Sequence, residues 1–209
     1  MRLPPVLLAL AAALGLVALS RKSPAAASPA PTSGAGGDLP DVPGLRAALA
    51  REPGLGRAFL AMADRLGWTE AHRDYGAAIV SFESEWKPDA VNPYSGASGL
   101  IQWMPSTAKA FGTTVEAIRQ MSALEQIPLV EDYFERRKGL APRDLYLLVF
   151  YPAAIGKSDE HVVFRRGEKG YEQNAGLDAE KDGTITVGNI RAVIDGRVVG
   201  SKAKPRVEV

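Results

Sequence analysis

The chain has 209 residues, with 25 Lys and Arg against 24 Asp and Glu, for a formal net charge of +1. That balance argues against nucleic acid as a partner, because a nucleic-acid binder usually carries a basic excess. The absence of Cys excludes disulfide frameworks, Cys-ligated zinc, iron–sulfur clusters and thiol nucleophiles. Two His, His72 and His161, are too few for a His-rich metal centre, and no Gly-x-Ser-x-Gly elbow occurs.

Residues 3–19 form a run of 17 without a charge, preceded by Arg2 and followed by Arg21 and Lys22. At helical rise the run reaches roughly 26 Å, slightly short of a hydrocarbon core. Residues 1–22 therefore read as a signal peptide or an N-terminal membrane anchor. Ala18, Leu19 and Ser20 suit cleavage, and the two basic residues after them suit an uncleaved anchor. Either way the remainder is expected to be exported, to the periplasm or cell envelope. Residues 23–41 are rich in Ala, Pro, Ser and Gly and read as a flexible linker, so the folded domain is expected to begin near Val42.

From there the pattern is helical. Leu45, Leu49, Phe59, Leu60, Met62 and Leu66 make an apolar face broken at Pro53-Gly54, which predicts two short helices, the second ended by Gly67. Residues 70–86 predict a third, and residues 105–111 a short one with Pro105 in its first turn and Gly112 as its stop. Thr113 with Glu116, and Ser122 with Glu125, fit capping boxes for two more, the latter ended by Gly139. Residues 144–151 are apolar nearly all round, which predicts a buried helix stopped or kinked at Pro152. Strand signals appear only around 184–187 and 197–199. The last ten residues read as a solvated tail.

Residues 77–108 carry the chemistry. On a helix, Ile79, Phe82, Glu83 and Trp86 fall at i, i+3, i+4 and i+7, so Glu83 lies within an apolar stripe while Glu85 turns to solvent. A carboxyl group so placed either pairs with an Arg or a backbone N–H to order the core, or stays protonated near neutrality and serves as a general acid. Pro88, Asn92, Pro93, Ser95, Gly96 and Gly99 then describe a tight loop whose backbone can approach a ligand closely, or simply a turn between helices.

In order, the segment reads Glu83-Ser84, then Pro88, then Gly96-Ala97-Ser98-Gly99-Leu100-Ile101-Gln102-Trp103-Met104-Pro105-Ser106-Thr107-Ala108. This resembles the signature of the soluble lytic transglycosylase family, which has the lysozyme-like fold. The resemblance implies that Glu83 is the sole catalytic acid/base, and that Ser95 or Ser98, Gln102 and Met104 line a glycan cleft. The family's second landmark, Ala-Tyr-Asn-Ala-Gly, is similar to Tyr151-Pro152-Ala153-Ala154 here, which implies that Tyr151 stands near the acid. Pro152 replaces the Asn of that landmark. The expected fold class is thus mainly α: a lysozyme-like helical domain over 42–175, with a short C-terminal extension over 176–209.

Within that extension, residues 178–189 resemble an EF-hand calcium loop. Asp178, Glu180, Asp182, Thr184, Thr186 and Asn189 occupy the ligand positions, with Gly183 at the turn. Asn189 stands where a bidentate Glu belongs, so any calcium site would be weak, and the alternative is a β-turn leading into a small hairpin. The resemblance implies cleavage of peptidoglycan glycan strands between N-acetylmuramic acid and N-acetylglucosamine, with a 1,6-anhydro product and no cofactor for catalysis. A hydrolytic muramidase of the goose-lysozyme kind, with Asp89 holding a water, and a non-catalytic peptidoglycan-binding module of a secretion or phage apparatus are the alternatives.

Overall fold

The structure, a computed structural model, describes residues 37–209. The signal or anchor segment and most of the linker lie outside the described residues. No helix among the described residues is long and apolar enough to cross a membrane.

The fold starts earlier than Val42. β1 (Asp38–Leu39) buries Leu39 completely and pairs antiparallel with β4 (Val207–Glu208), the far end of the chain. The stretch read as a solvated tail is thus tied down. Val207 is buried, and Arg206 donates to Asp74 and to the Asp38 carbonyl.

α1 (Leu45–Arg51) and α2 (Leu55–Arg65) flank the expected break at Pro53-Gly54. Gly44 starts α1 at φ 84°, and a Cβ there would stand 2.1 Å from the Glu85 carbonyl oxygen, so no other residue fits. α3 (Glu70–Ser84) is capped by Thr69 and His72, whose side chains each engage the other's backbone N–H. The helix stops two residues before Trp86, because Glu85 and Trp86 both take positive φ. That turn drops the Trp86 ring into the core against Phe59, with ring centroids 5.4 Å apart.

α4 (Pro105–Ala110), α5 (Val115–Gln120) and α6 (Ala123–Glu135) follow. The Ser122–Glu125 capping box forms as expected. The cap before it shifts by one residue: Thr114, not Thr113, accepts from a backbone N–H, that of Ala117. α7 (Leu145–Phe150) is buried all round, and Pro152 opens a 3-10 turn after it.

β2 (Val162–Arg165), α8 (Lys169–Asn174) and β3 (Thr184–Thr186) lead into α9 (Val187–Lys202), and β2 pairs antiparallel with β3. The strand expected at 197–199 is instead part of α9. Ile190, Ile194 and Val198 repeat every four residues and are buried, a helical period that overrides the strand preference of Val198 and Val199. α9 packs along α3, so the extension is continuous with the core of the helical domain. Ile185, Val187, Ile190 and Ile194 join the same buried cluster as Ile79, Leu100 and Phe150. The described residues are mainly α-helical, with only short strands.

Candidate active site

Glu83 lies in the last turn of α3, flanked by Phe82 and Ser84. Its Oε1 is sealed from solvent and has no hydrogen-bond partner. Burial is the dominant effect and pushes the carboxyl up from 4.5 to about 8, while hydrogen bonding from the Tyr146 hydroxyl and attraction to the Arg197 guanidinium pull it partly back. The acid is therefore held protonated near neutrality. Glu85, which ends α3 in a left-handed conformation, is exposed and pairs with Lys87 at 2.9 Å, apart from Glu83.

Tyrosines surround the acid. Tyr146 on α7 sets its ring edge-on to Phe82, with centroids 5.6 Å apart, and burial and the nearby Glu83 raise its hydroxyl well above the ordinary range. Tyr133 on α6 also feels Glu83, and its hydroxyl donates to the Leu148 carbonyl at 2.8 Å. Neither tyrosine stood out in the sequence. Tyr146 sits inside an unbroken apolar run, where the ring reads as core and only the fold shows that its hydroxyl meets Glu83. Tyr151, expected near the acid, packs edge-on against Phe164 with centroids 5.2 Å apart, a contact with β2.

The loop after α3 is built by its own hydrogen bonds. Asn92 is buried, and its Oδ1 accepts from the N–H groups of Tyr94 and Ser95. Ser98 and Trp103 exchange both backbone hydrogen bonds, at 3.1 and 2.7 Å. The loop is then pinned from outside by Gln126 of α6, whose side chain is fully buried. Its Oε1 accepts from Leu100 N–H, and its Nε2 donates to the carbonyls of Pro88 and Ile118. Gly99, at φ 79°, makes room, since a Cβ there would lie 2.6 Å from both Gln126 Oε1 and Ile118 Cγ2.

Of the expected cleft residues, Gln102 and Met104 line a small cleft together with Ile101, Trp103, Thr107, Tyr133 and Val149. Tyr133, which lines this cleft, is the member of it that feels the charge of Glu83. Gln102 has a second task, since its Nε2 donates to the carbonyls of Gly99 and Ala90 and braces the loop from within. Ser98 has 0% exposure and its hydroxyl donates to the Gly96 carbonyl, so it braces the loop and does not face a ligand. Ser95 is partly exposed, and its hydroxyl accepts from Ala97 N–H within the turn. A larger cavity of about 340 Å³ lies elsewhere, lined by Glu70, Asp74, Lys202, Lys204 and Arg206 among others. It contains none of the expected site residues and borders the β1–β4 ribbon.

The calcium-loop residues are used by the protein itself. Asp178 accepts from the Tyr171 hydroxyl and from Asp182 and Gly183 N–H, and hydrogen bonding, that of Tyr171 first, holds its carboxyl below the ordinary range. Asp182 accepts from Thr184. Thr186 and Asn189 form the capping box of α9, and Asn189 also donates to Glu180. No group of three acidic or His side chains stands where it could hold a metal among the described residues. The arrangement is a helix-start turn and does not fit a calcium cage.

With this geometry in view, the comparison with known families is specific. Residues 69–126 match the family model of the Transglycosylase SLT domain. No curated protein matches the chain. The SLT match runs from the cap of α3 to Gln126. It therefore takes in Glu83, the braced loop and the cleft residues Gln102 and Met104, and stops short of Tyr146, Tyr151 and α9. The SLT family is that of lytic transglycosylases, which makes peptidoglycan the substrate class to weigh.

Proposed function

We propose that the protein is a peptidoglycan lytic transglycosylase acting through Glu83 alone. The observation that carries this reading is a single carboxyl, one oxygen of it sealed and unpartnered, held up to about 8 with no second carboxylate among the groups that shift it. A retaining or inverting glycosidase usually sets a second carboxyl across the scissile bond. Here one group serves twice. Protonated Glu83 gives its proton to the glycosidic oxygen as the C1–O4 bond of the muramyl residue breaks. The Glu83 carboxylate then takes the proton of the same sugar's C6 hydroxyl, and O6 closes on C1. The product is a 1,6-anhydro-muramyl end, no water is consumed, and Glu83 is protonated again.

The apolar run near the N-terminus supports an exported enzyme, since peptidoglycan lies outside the cytoplasmic membrane. In this reading Gln102, Met104 and Tyr133, which line one small cleft, meet the glycan. Digestion of purified sacculi followed by mass spectrometry tests the reading. Muramyl ends one water lighter than hydrolytic ends are expected. Ordinary reducing ends would make the protein a muramidase, and no digestion would make it a binding module.

A further inference from the structure

α9 lies outside the matched segment, yet it sends one side chain to the residue beside Glu83. Arg197 places its guanidinium 4.4 Å from the centroid of the Phe82 ring, and Phe82 is the residue next to Glu83. Other arginines at this end of the molecule are paired with carboxylates: Arg143 with Asp195 at 2.6 Å, Arg191 with Asp144 at 2.5 Å and Arg206 with Asp74 at 3.0 Å. Arg197 makes no salt bridge among the described residues, and its Nε is sealed without a hydrogen-bond partner. A half-buried guanidinium with a sealed N–H and no carboxylate bonded to it carries a desolvation cost. A packing role alone would be met by Leu or Met.

The reaction gives the charge a purpose. When Glu83 releases its proton it becomes an anion inside an apolar pocket, and a bound glycan excludes the water that would screen it. A direct ion pair would hold Glu83 as a carboxylate from the start and abolish the acid, much as Arg191 holds Asp159 below its ordinary range. A cation near the site but not bonded to it leaves the acid protonated at rest and steadies the anion once formed.

We infer that Arg197, seated on the Phe82 ring, is a positioning residue of this site, supplying from α9 the counter-charge for Glu83 when it turns from acid to base. The inference rests on the reading of Glu83 as the acid/base. The groups facing Glu83 are Tyr146 from α7, Tyr133 from α6 and Arg197 from α9, while Glu85 at the end of α3 acts on Arg197. Of these, Arg197 is the cation and favours the charged form of Glu83. The C-terminal extension would then be part of the catalytic unit.

The test is a titration of the Glu83 carboxyl by ¹³C NMR in the wild type, R197M and R197K, with the pH profile of kcat/KM measured on sacculi alongside. R197M keeps the apolar stem over Phe82 and removes the charge. Its Glu83 midpoint is expected to rise by about half a pH unit or more, the alkaline limb of the activity profile to move the same way, and R197K to restore most of both. An unchanged midpoint in a folded R197M would overturn the inference, since loss of packing does not titrate. If R197M does not fold, R197Q carries the same expectation. A wild type inactive on sacculi whose midpoint still moves in R197M would strike the transglycosylase reading and leave the Arg197–Glu83 coupling standing. Full activity with an unmoved midpoint would do the reverse.

Discussion

In the proposed reaction the chemistry turns on Glu83, and the burial of its carboxyl has consequences for stability as well as for rate. Glu83→Gln keeps the shape and removes the proton, so turnover on sacculi is expected to fall by about 10²-fold or more. The exposed Glu85→Gln is the control and leaves activity largely intact. Folded Glu83 holds its proton to about pH 8, whereas the unfolded group releases it near 4.5. Over that window the folded state binds more protons than the unfolded one, so the wild type loses stability as pH rises, by at most roughly 1.4 kcal/mol per unit. The Glu83→Gln variant lacks this loss. Its melting temperature is expected to exceed that of the wild type by a margin that widens between pH 5 and pH 8. The position of Glu83 was legible in the sequence because a carboxyl on an apolar stripe is a local pattern. Its neighbours were not, because Tyr146, Tyr133 and Arg197 come from three other helices and look like ordinary core or surface residues where they stand. Ser98 shows the opposite error: a polar residue in a Gly-rich loop looks available for a ligand, but its hydroxyl is spent on the Gly96 carbonyl.

Among the elements, the loop between α3 and α4 depends on a small cavity-free contact. Gly99→Ala sets a methyl 2.6 Å from Gln126 Oε1 at a φ of 79°, so it meets both a steric and a backbone penalty. Relief would displace Gln126 from Leu100, Pro88 and Ile118 and orphan buried groups. Chemical denaturation is expected to show a loss of about 2–4 kcal/mol, with activity falling further as the loop moves. α9 behaves differently. Gly196 and Gly200 have nothing within 4 Å of an added Cβ and sit at ordinary helical φ. Replacing either with Ala is expected to stabilise the protein by about 0.5–1 kcal/mol, read from the same denaturation curves. Those glycines, with Val198 and Val199 between them, explain why α9 looked like a strand at 197–199. Local propensity there is poor for a helix, and the four-residue spacing of Ile190, Ile194 and Val198 becomes decisive only once α3 is there to receive it. Helix starts marked by Pro105 and Ser122 were readable because a cap is set within four residues, and the one-residue error at Thr114 is the ordinary ambiguity of adjacent threonines.

At the scale of the molecule, the two ends of the described chain are joined. β1 pairs with β4, and Arg206 links that ribbon to Asp74, which is only 3% exposed on α3. Arg206→Ala leaves the Asp74 carboxylate buried without its cation and is expected to cost about 3 kcal/mol, measurable as a drop in melting temperature. None of this was visible beforehand, since the pairing spans almost the full sequence and the tail is locally polar. α9 packs beside α3, so Glu83 comes from the SLT-matching segment while later helices supply its surroundings, and the candidate site is a product of the whole fold. The central claim is that Glu83 alone closes an anhydro ring without water. Digestion of sacculi in H₂¹⁸O tests it most directly. Muramyl ends free of ¹⁸O from the wild type, and about 10²-fold fewer new ends from Glu83→Gln, are the expected result. One ¹⁸O at each new muramyl end, or undiminished cleavage by Glu83→Gln, would contradict it.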